Sequence, residues 1–139
     1  MSLFKVFDIA GSAMSAQSVR LNTVASNMAN ADSVSSSVEN TYHARRPVFA
    51  AQLDQAMSDK QGSVGVEVKG IVESKAPLLK EYNPNHPMAD KDGFIFKPNV
   101  NMVEEMADMI NASRSYQTNV QVADSAKKML QQTLQLGKS

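Results

Sequence analysis

Cysteine and tryptophan are both absent from the 139 residues. Without Cys there is no disulfide framework, no thiol nucleophile and no thiolate metal site. Aromatic residues make up only 6 % of the chain, so its core is thin, while Met is frequent at nine. Met fills irregular gaps and suits adaptable interfaces. Neither sign of charge is in excess: 14 basic residues face 14 acidic ones, for a formal net charge of zero. That balance argues against nucleic acid as a main partner, because phosphate neutralisation needs clustered Lys and Arg. No stretch is apolar for long enough to cross a membrane, so direct insertion is not expected. Met1 to Ile9 has no basic segment followed by a long apolar one, so no cleaved secretory signal is read there. The expectation is a cytosolic protein, or one that leaves by a route needing no such signal.

What is present is concentrated at the two ends. Leu3, Phe7, Ala10, Met14, Gln17, Leu21, Val24, Met28 and Ala31 recur at alternating three- and four-residue steps. That spacing predicts a helix over residues 3–31 whose seam lies along another helix. At a rise of about 1.5 Å per residue it would run roughly 40 Å. Its other faces are unusual. From Ile9 to Ala31 the only charge is Arg20. Gly11, Ser15, Ser18, Asn22, Ala25 and Ala29 form one line, and Arg20, Thr23, Asn27 and Asn30 another. A free helix face normally carries Lys and Glu. These faces therefore imply protein on several sides, more than one such chain can supply.

The last stretch mirrors the first. Asn101 is a candidate N-cap, with Glu104 three residues on. Glu104, Glu105 and Asp108 suit the positive end of a helix dipole, Lys127 and Lys128 the other end, and Gly137 a stop. The predicted seam reads Met102, Met106, Met109, Ser113, Tyr116, Val120, Ala123, Lys127, Leu130 and Leu134. Val122, Ala126, Met129 and Leu136 widen it. From Met109 to Ala123 only Arg114 is charged, and 20 of the 28 charges lie between Asp32 and Asp108. The middle thus reads as a water-facing insert and the ends as buried helices.

The insert reads as short strands and turns. Ser33 to Ser37 is a loop. Residues 42–57 are open between strand and short helix, with Pro47 excluding a long helix through Arg45 and Arg46. Asp59 to Ser63 is a turn. Val64, Val66 and Val68 alternate with polar residues as a half-buried strand, and Gly70 shifts the phase. A strand is plausible near Leu78 to Tyr82, then an extended loop over Asn83 to Pro87. Asp90 to Gly93 is a tight turn before a strand at Phe94 to Phe96, closed by Pro98. The fold class is mainly α with a β-rich insert. Residues 1–32 and 100–139 form long terminal helices paired as a coiled coil, and residues 33–99 a small β or irregular domain.

Catalytic and metal chemistry has little to stand on. His43 and His86 are far apart and in no ligand spacing. Asp90-x-Asp92-Gly93 lacks the remaining oxygen ligands of a calcium loop. Ser12 and Ser15 beside Gly11 match no phosphate-binding or nucleophile motif. No cofactor or metal is expected, and no enzyme activity. Asn27 and Asn30 have two readings: helix-ending amides, or buried amides that fix register between helices.

Two groups of residues carry a resemblance. Phe7-Asp8-Ile9-Ala10-Gly11-Ser12-Ala13-Met14, Leu21-Asn22 and Ala25-Ser26-Asn27-Met28-Ala29-Asn30-Ala31-Asp32 resemble the N-terminal signature of bacterial flagellar basal-body rod proteins. Tyr82-x-Pro84-x-x-Pro87-x-Ala89-Asp90-x-x-Gly93, Pro98-Asn99-Val100-Asn101, Glu105-Met106 and Ala112-x-Arg114-x-Tyr116-x-x-Asn119 are similar to that family's central and C-terminal motifs. The likeness is greatest to its proximal-rod members. It departs at the Ser33–Thr41 link, where Thr41 precedes Tyr42 in place of a frequent Pro. The resemblance implies a structural subunit, exported without a cleaved signal, that polymerises in the periplasm into a hollow shaft. Its partners would be copies of itself, other rod proteins, the membrane ring with its export gate, and the distal rod. The assembly residues would be Met14, Leu21, Val24, Asn27, Met28 and Asn30, with Met106, Met109, Arg114, Tyr116, Asn119, Val120, Leu130 and Leu134. The alternative is a coiled-coil adaptor or chaperone of a type III secretion or flagellar export system, which would need a free charged helix face. A cell-wall hydrolase would need paired carboxylates or a metal in a cleft.

Overall fold

The computed structural model describes residues 3–52 and 64–137. In chain order these form α1 (Leu3–Asn30), β1 (Arg45–Ala51), β2 (Val66–Glu73), β3 (Leu79–Tyr82), β4 (Phe94–Lys97) and α2 (Met102–Leu136). Two long terminal helices thus flank a small antiparallel β region. The expected turn at Asp59 to Ser63 lies outside the described residues, as does the end of the ambiguous stretch after Gln52.

The two helices pack against each other in opposite directions. Asn27, near the end of α1, bonds Glu105 in the first turn of α2. Leu3 and Val6, at the start of α1, share a groove with Val122, Ala126 and Met129 of α2. At 35 residues against 28, α2 outruns its partner, and residues 131–137 are all exposed. Small side chains are buried along both helices. Ala10 and Ala16 of α1 and Ala112 and Ala126 of α2 are buried.

The cap at the start of α2 forms as its residue types predict. Asn101 Oδ1 accepts from the backbone N–H of Val103 at 3.1 Å and of Glu104 at 3.4 Å. Glu104 does not complete a capping box, because its carboxylate bonds Arg46 at 2.6 Å. Gly137 is the C-cap, in right-handed rather than left-handed conformation. Its N–H bonds the Thr133 carbonyl at 3.1 Å.

β1 and β2 form a two-stranded antiparallel sheet laid on α1. The register runs from Arg45 opposite Glu73 to Ala51 opposite Val66. Val48 faces Gly70 while Phe49 faces Val68, so Lys69 is a bulged extra residue. This is the phase shift that Gly70 signals in the sequence. Two side chains in the first two-thirds of α1 help to seat the sheet. Ser12 Oγ accepts from the Val66 N–H at 3.1 Å, and the Arg20 guanidinium stacks on the Phe49 ring at 4.9 Å. Gly65 leaves room at the first of these, since a Cβ there would stand 2.8 Å from Ser12 Oγ and 2.6 Å from Gln52 Oε1, and those side chains would have to shift.

β3 and β4 form a second antiparallel pair, from Leu79 opposite Lys97 to Tyr82 opposite Phe94. Ile95 of β4 is buried. Asp90 Oδ1 accepts from the N–H groups of Asp92 and Phe94, and Gly93 closes the turn at φ +81. Asn83 to Pro87 is not extended. His86 N–H bonds the Asn83 carbonyl at 3.1 Å and Ala89 N–H the His86 carbonyl at 3.0 Å, so the segment is two successive turns. Its two prolines fix φ without forcing the peptides between them straight. The Ser33–Thr41 link is tied down at both ends. Ser35 exchanges both backbone hydrogen bonds with Phe96, and Thr41 Oγ1 donates to the Ser37 carbonyl at 2.7 Å. A Pro in place of Thr41 could make neither that bond nor the one from its N–H.

Candidate assembly interface

The helix seams hold in outline and differ in phase. On α1, Val24 and Asn27 are buried, and Met14, Leu21, Met28 and Asn30 are half-buried. On α2 the covered face runs through Glu105, Met109, Ala112, Asn119, Ala123, Ala126 and Leu130. Met106, Arg114, Tyr116, Val120 and Leu134 of the proposed set are exposed. Size decides this. The small residues Ala112 and Ala126 admit α1 closely, so the larger side chains turn away from it.

The outward side of α2 therefore leaves large apolar side chains exposed, among the polar residues Arg114, Gln117, Gln121, Asp124 and Lys128. Val103 is 77 % exposed, Met106 50 %, Ile110 51 %, Leu134 61 % and Leu136 77 %. The exposed line on α1 is different in kind. Ser15, Ser18, Asn22, Ala25 and Ala29 are small or amide-bearing, and no atom lies within 4 Å of where a Gly11 Cβ would be. One helix thus presents bulk and the other presents room. Between the N-terminal end of α1 and α2 an apolar groove of about 290 Å³ remains open.

The two amides singled out in α1 part company. Asn30 closes the helix locally, its Nδ2 donating to the Ser26 carbonyl at 2.8 Å. Asn27 is 1 % exposed and fully bonded. Its Oδ1 accepts from Tyr42 Oη and from the Arg45 N–H, both at 2.9 Å. Its Nδ2 donates to the Arg45 carbonyl at 2.8 Å and to Glu105 Oε2 at 3.1 Å. Burial pushes the Tyr42 phenol above its ordinary pKa, against the pull of Arg45, so its proton stays available for that bond. Arg46 lies across the same junction, paired with Glu104 and 4.0 Å from Asp108. The hydrogen bond it donates to the Glu104 carboxylate raises its pKa.

Tyr42, Glu105 and Asn99 were not among the expected site residues. Asn99 Oδ1 accepts from the Ala44 N–H at 2.8 Å, and its Nδ2 donates to the Ala76 carbonyl at 2.8 Å. It ties the segment before β1 to the segment after β2. The available signal for Asn99 was its type and place, an amide between Pro98 and Val100. Among the described residues no group of His, Asp or Glu is arranged to hold a metal ion, and no helix is long and apolar enough to cross a membrane.

The sequence comparisons agree with this architecture. A family model described as "Flagella basal body rod protein" matches residues 7–35. One described as "Flagellar basal body rod FlgEFG protein C-terminal" matches residues 91–136. The flagellar basal-body rod protein FlgC of Salmonella typhimurium is 47 % identical over 137 residues, with 99 % of each chain covered. The chain belongs to the flagellar basal-body rod protein family. The match spreads across distant members. The FlgC of Buchnera aphidicola from Acyrthosiphon pisum is 45 % identical over 136 residues, covering 96 % of this chain and 97 % of that one. That of Borreliella burgdorferi is 34 % identical over 147 residues, with the same coverage. The two matched regions hold α1 and α2, the elements that carry the unpartnered faces of this rod-family chain.

Proposed function

We propose that the chain is a structural subunit of the proximal flagellar rod, built into the shaft through its terminal helices. As a rod-family member it is a structural component of the basal-body rod, which lies in the periplasm. The finer reading divides the chain into a helical core, residues 1–32 and 100–139, and an outer layer, residues 33–99. In this reading α1 and α2 pair as a coiled coil, and the pairs pack side by side and end to end around a lumen that passes other export substrates. Its neighbours are further copies, other rod proteins, the membrane ring with its export gate below and the distal rod above. The adaptor or chaperone alternative lacks support: the matched relatives are named as rod proteins, and the charge-poor segments Ile9–Ala31 and Met109–Ala123 offer no charged free face.

The observation that carries the reading is the set of large apolar side chains that α2 leaves exposed. A side chain the size of Met or Leu gains roughly 1.5–3 kcal/mol on full burial. Val103, Met106, Ile110, Val120 and Leu134 leave that gain unused in the single chain. The small-residue line of α1 is of a size to receive them. A face that meets a different face on the next copy is heterologous, and such contacts build open helical arrays. Met14, Leu21, Met28, Met109, Asn119 and Leu130 would support the pair from within, with Tyr116 and Arg114 at its margin.

The test is Met106→Glu combined with Val120→Glu. Both positions are exposed, so the helical content of the purified chain should not change. Basal bodies recovered from cells carrying only this variant should have short rods and no hooks. Val38→Glu, in the link, is the control and should leave hooks in place. Hooks in normal number on the double variant would show that this face is not an assembly surface.

A further inference from the structure

The interface between α1 and α2 is largely smooth. Its buried apolar side chains are mostly alanines, and the covered face of α2 repeats every seven residues. Such a surface rewards burial but distinguishes poorly between one axial register and the next. Asn27 supplies what it lacks. Four groups from three places converge on one side chain: the N–H and carbonyl of Arg45 at the start of β1, the Tyr42 hydroxyl just before it, and Glu105 of α2. An amide offers two donors and an oxygen with two acceptor positions, and all four are used. The orientation is unique. Turning the amide over would set its oxygen against the Arg45 carbonyl and Glu105, and its NH₂ against the Arg45 N–H. Toward β1 the side chain takes the place of a neighbouring strand, engaging both backbone groups of one residue.

We propose that Asn27 is a positioning residue that sets two geometries at once: the axial register of α1 on α2, through Glu105, and the seat of the β1–β2 sheet on α1, through Arg45. The other links across these junctions are weaker. Arg46 pairs with Glu104 at half-exposed positions, where an ion pair contributes little. Ser12 gives β2 a single hydrogen bond. A slip of α1 along α2 would leave Glu105, 3 % exposed, without its partner. The inference concerns the chain on its own. It does not rest on assembly into a rod, and the two can fail separately.

The chain has no Cys, so spin labels can be placed at will. One labelled pair, Ser18→Cys with Lys127→Cys, reads α1 against α2. A second, Ser18→Cys with Glu67→Cys, reads α1 against the β1–β2 sheet. All three positions are exposed. Pulsed dipolar spectroscopy on the full chain should give one narrow distance for each pair. Asn27→Asp keeps the size and removes both donors, and both distances should lose their single peak. Adding Glu105→Gln returns a donor to position 105, and the α1–α2 distance should narrow again. Glu105→Leu alone should broaden the α1–α2 distance and leave the α1–sheet distance as it was, because both Arg45 bonds remain. That split separates positioning from general loosening, and it stands even if Asn27→Asp fails to fold. Single narrow distances in Asn27→Asp, or equal broadening of both pairs in Glu105→Leu, would overturn the proposal.

Discussion

The helices α1 and α2 look alike as sequence and differ as structure. Each is long, each has a stretch with one charge, and each carries an apolar seam. In the chain, α1 is held on two sides, by α2 and by the β1–β2 sheet, and buries Ala10, Ala16, Thr23, Val24 and Asn27. By contrast α2 is held on one side and buries Glu105, Ala112 and Ala126. The same charge-poverty therefore has two causes. In α1 much of it is met within the chain, by a sheet and a polar junction. In α2 it is met within the chain only on the side that faces α1, and Val103, Met106 and Ile110 stay exposed. Lack of charge on a helix indicates that its faces are covered. It does not indicate by what.

The sharpest way to break this comparison is to remove a partner that α1 has and a similar group that it hardly uses. Asn27→Ala strips four buried hydrogen-bonding groups of their common partner. An unsatisfied buried group costs roughly 1–3 kcal/mol, so the loss should be at least about 3 kcal/mol after partial relaxation. Asn30→Ala removes one bond to a carbonyl in the same helix turn, and should stay within about 0.5 kcal/mol. Urea denaturation of the two single variants measures the difference directly. Equal losses would mean that Asn27 is no more than a helix-end amide.

A smaller effect separates two glycines at the other end of α1, Gly65 beside Ser12 and Gly11 within the helix. Gly65 passes closely over α1, and Gly65→Ala forces a methyl against Ser12 Oγ and Gln52 Oε1. Gln52 can swing aside, but Ser12 Oγ would give up its bond from the Val66 N–H, at a cost of about 1 kcal/mol. Gly11 is within α1 with open space beside it. There Ala should raise the chain's stability by up to about 1 kcal/mol, through helix propensity alone. If the small-residue line of α1 meets other copies, Gly11→Ala should at the same time slow rod completion. Thermal unfolding of the purified chain and a count of hooks on recovered basal bodies read the two effects apart. A gain in stability with no change in hook number would place Gly11 outside any contact.

What was legible in the sequence follows from how local the physics is. Both helices, the alternation of Val64, Val66 and Val68, the phase shift at Gly70, the turn at Asp90 to Gly93 and the cap at Asn101 rest on neighbours in sequence, and each could be read there. The face of α2 could not. Its seam contains enough apolar residues for two readings a small rotation apart, and only the approach of α1 to Ala112 and Ala126 selects one. The turns over Asn83 to Pro87 were missed because two prolines suggest extension when the intervening hydrogen bonds are unseen. The junction at Asn27 joins residues 15, 18 and 78 positions away. No local pattern encodes that meeting, although the type of residue at each of the positions was chemically informative.

The smallest predicted effect tests the same junction from its edge, through pH. The Tyr42 hydroxyl can donate to Asn27 Oδ1 only while it keeps its proton. Its folded pKa is raised from 10.0, first by burial, with Glu105 and Glu73 adding to the rise and Arg45 opposing it. The unfolded chain therefore gives up this proton at lower pH than the folded chain does. The contribution of Tyr42 is then fully present below about pH 10 and is lost as pH rises through the higher folded value. Tyr42→Phe removes the hydroxyl and should cost about 1 kcal/mol at pH 8, the worth of one such hydrogen bond. At pH 11 the gap between the two proteins should be smaller. Using the difference cancels the other groups that titrate in this range, since both chains share them. Chemical denaturation of each protein at the two pH values is sufficient. A gap that stays constant from pH 8 to pH 11 would mean that the hydroxyl is not held protonated by the fold, and that Asn27 is fixed by Arg45 and Glu105 alone.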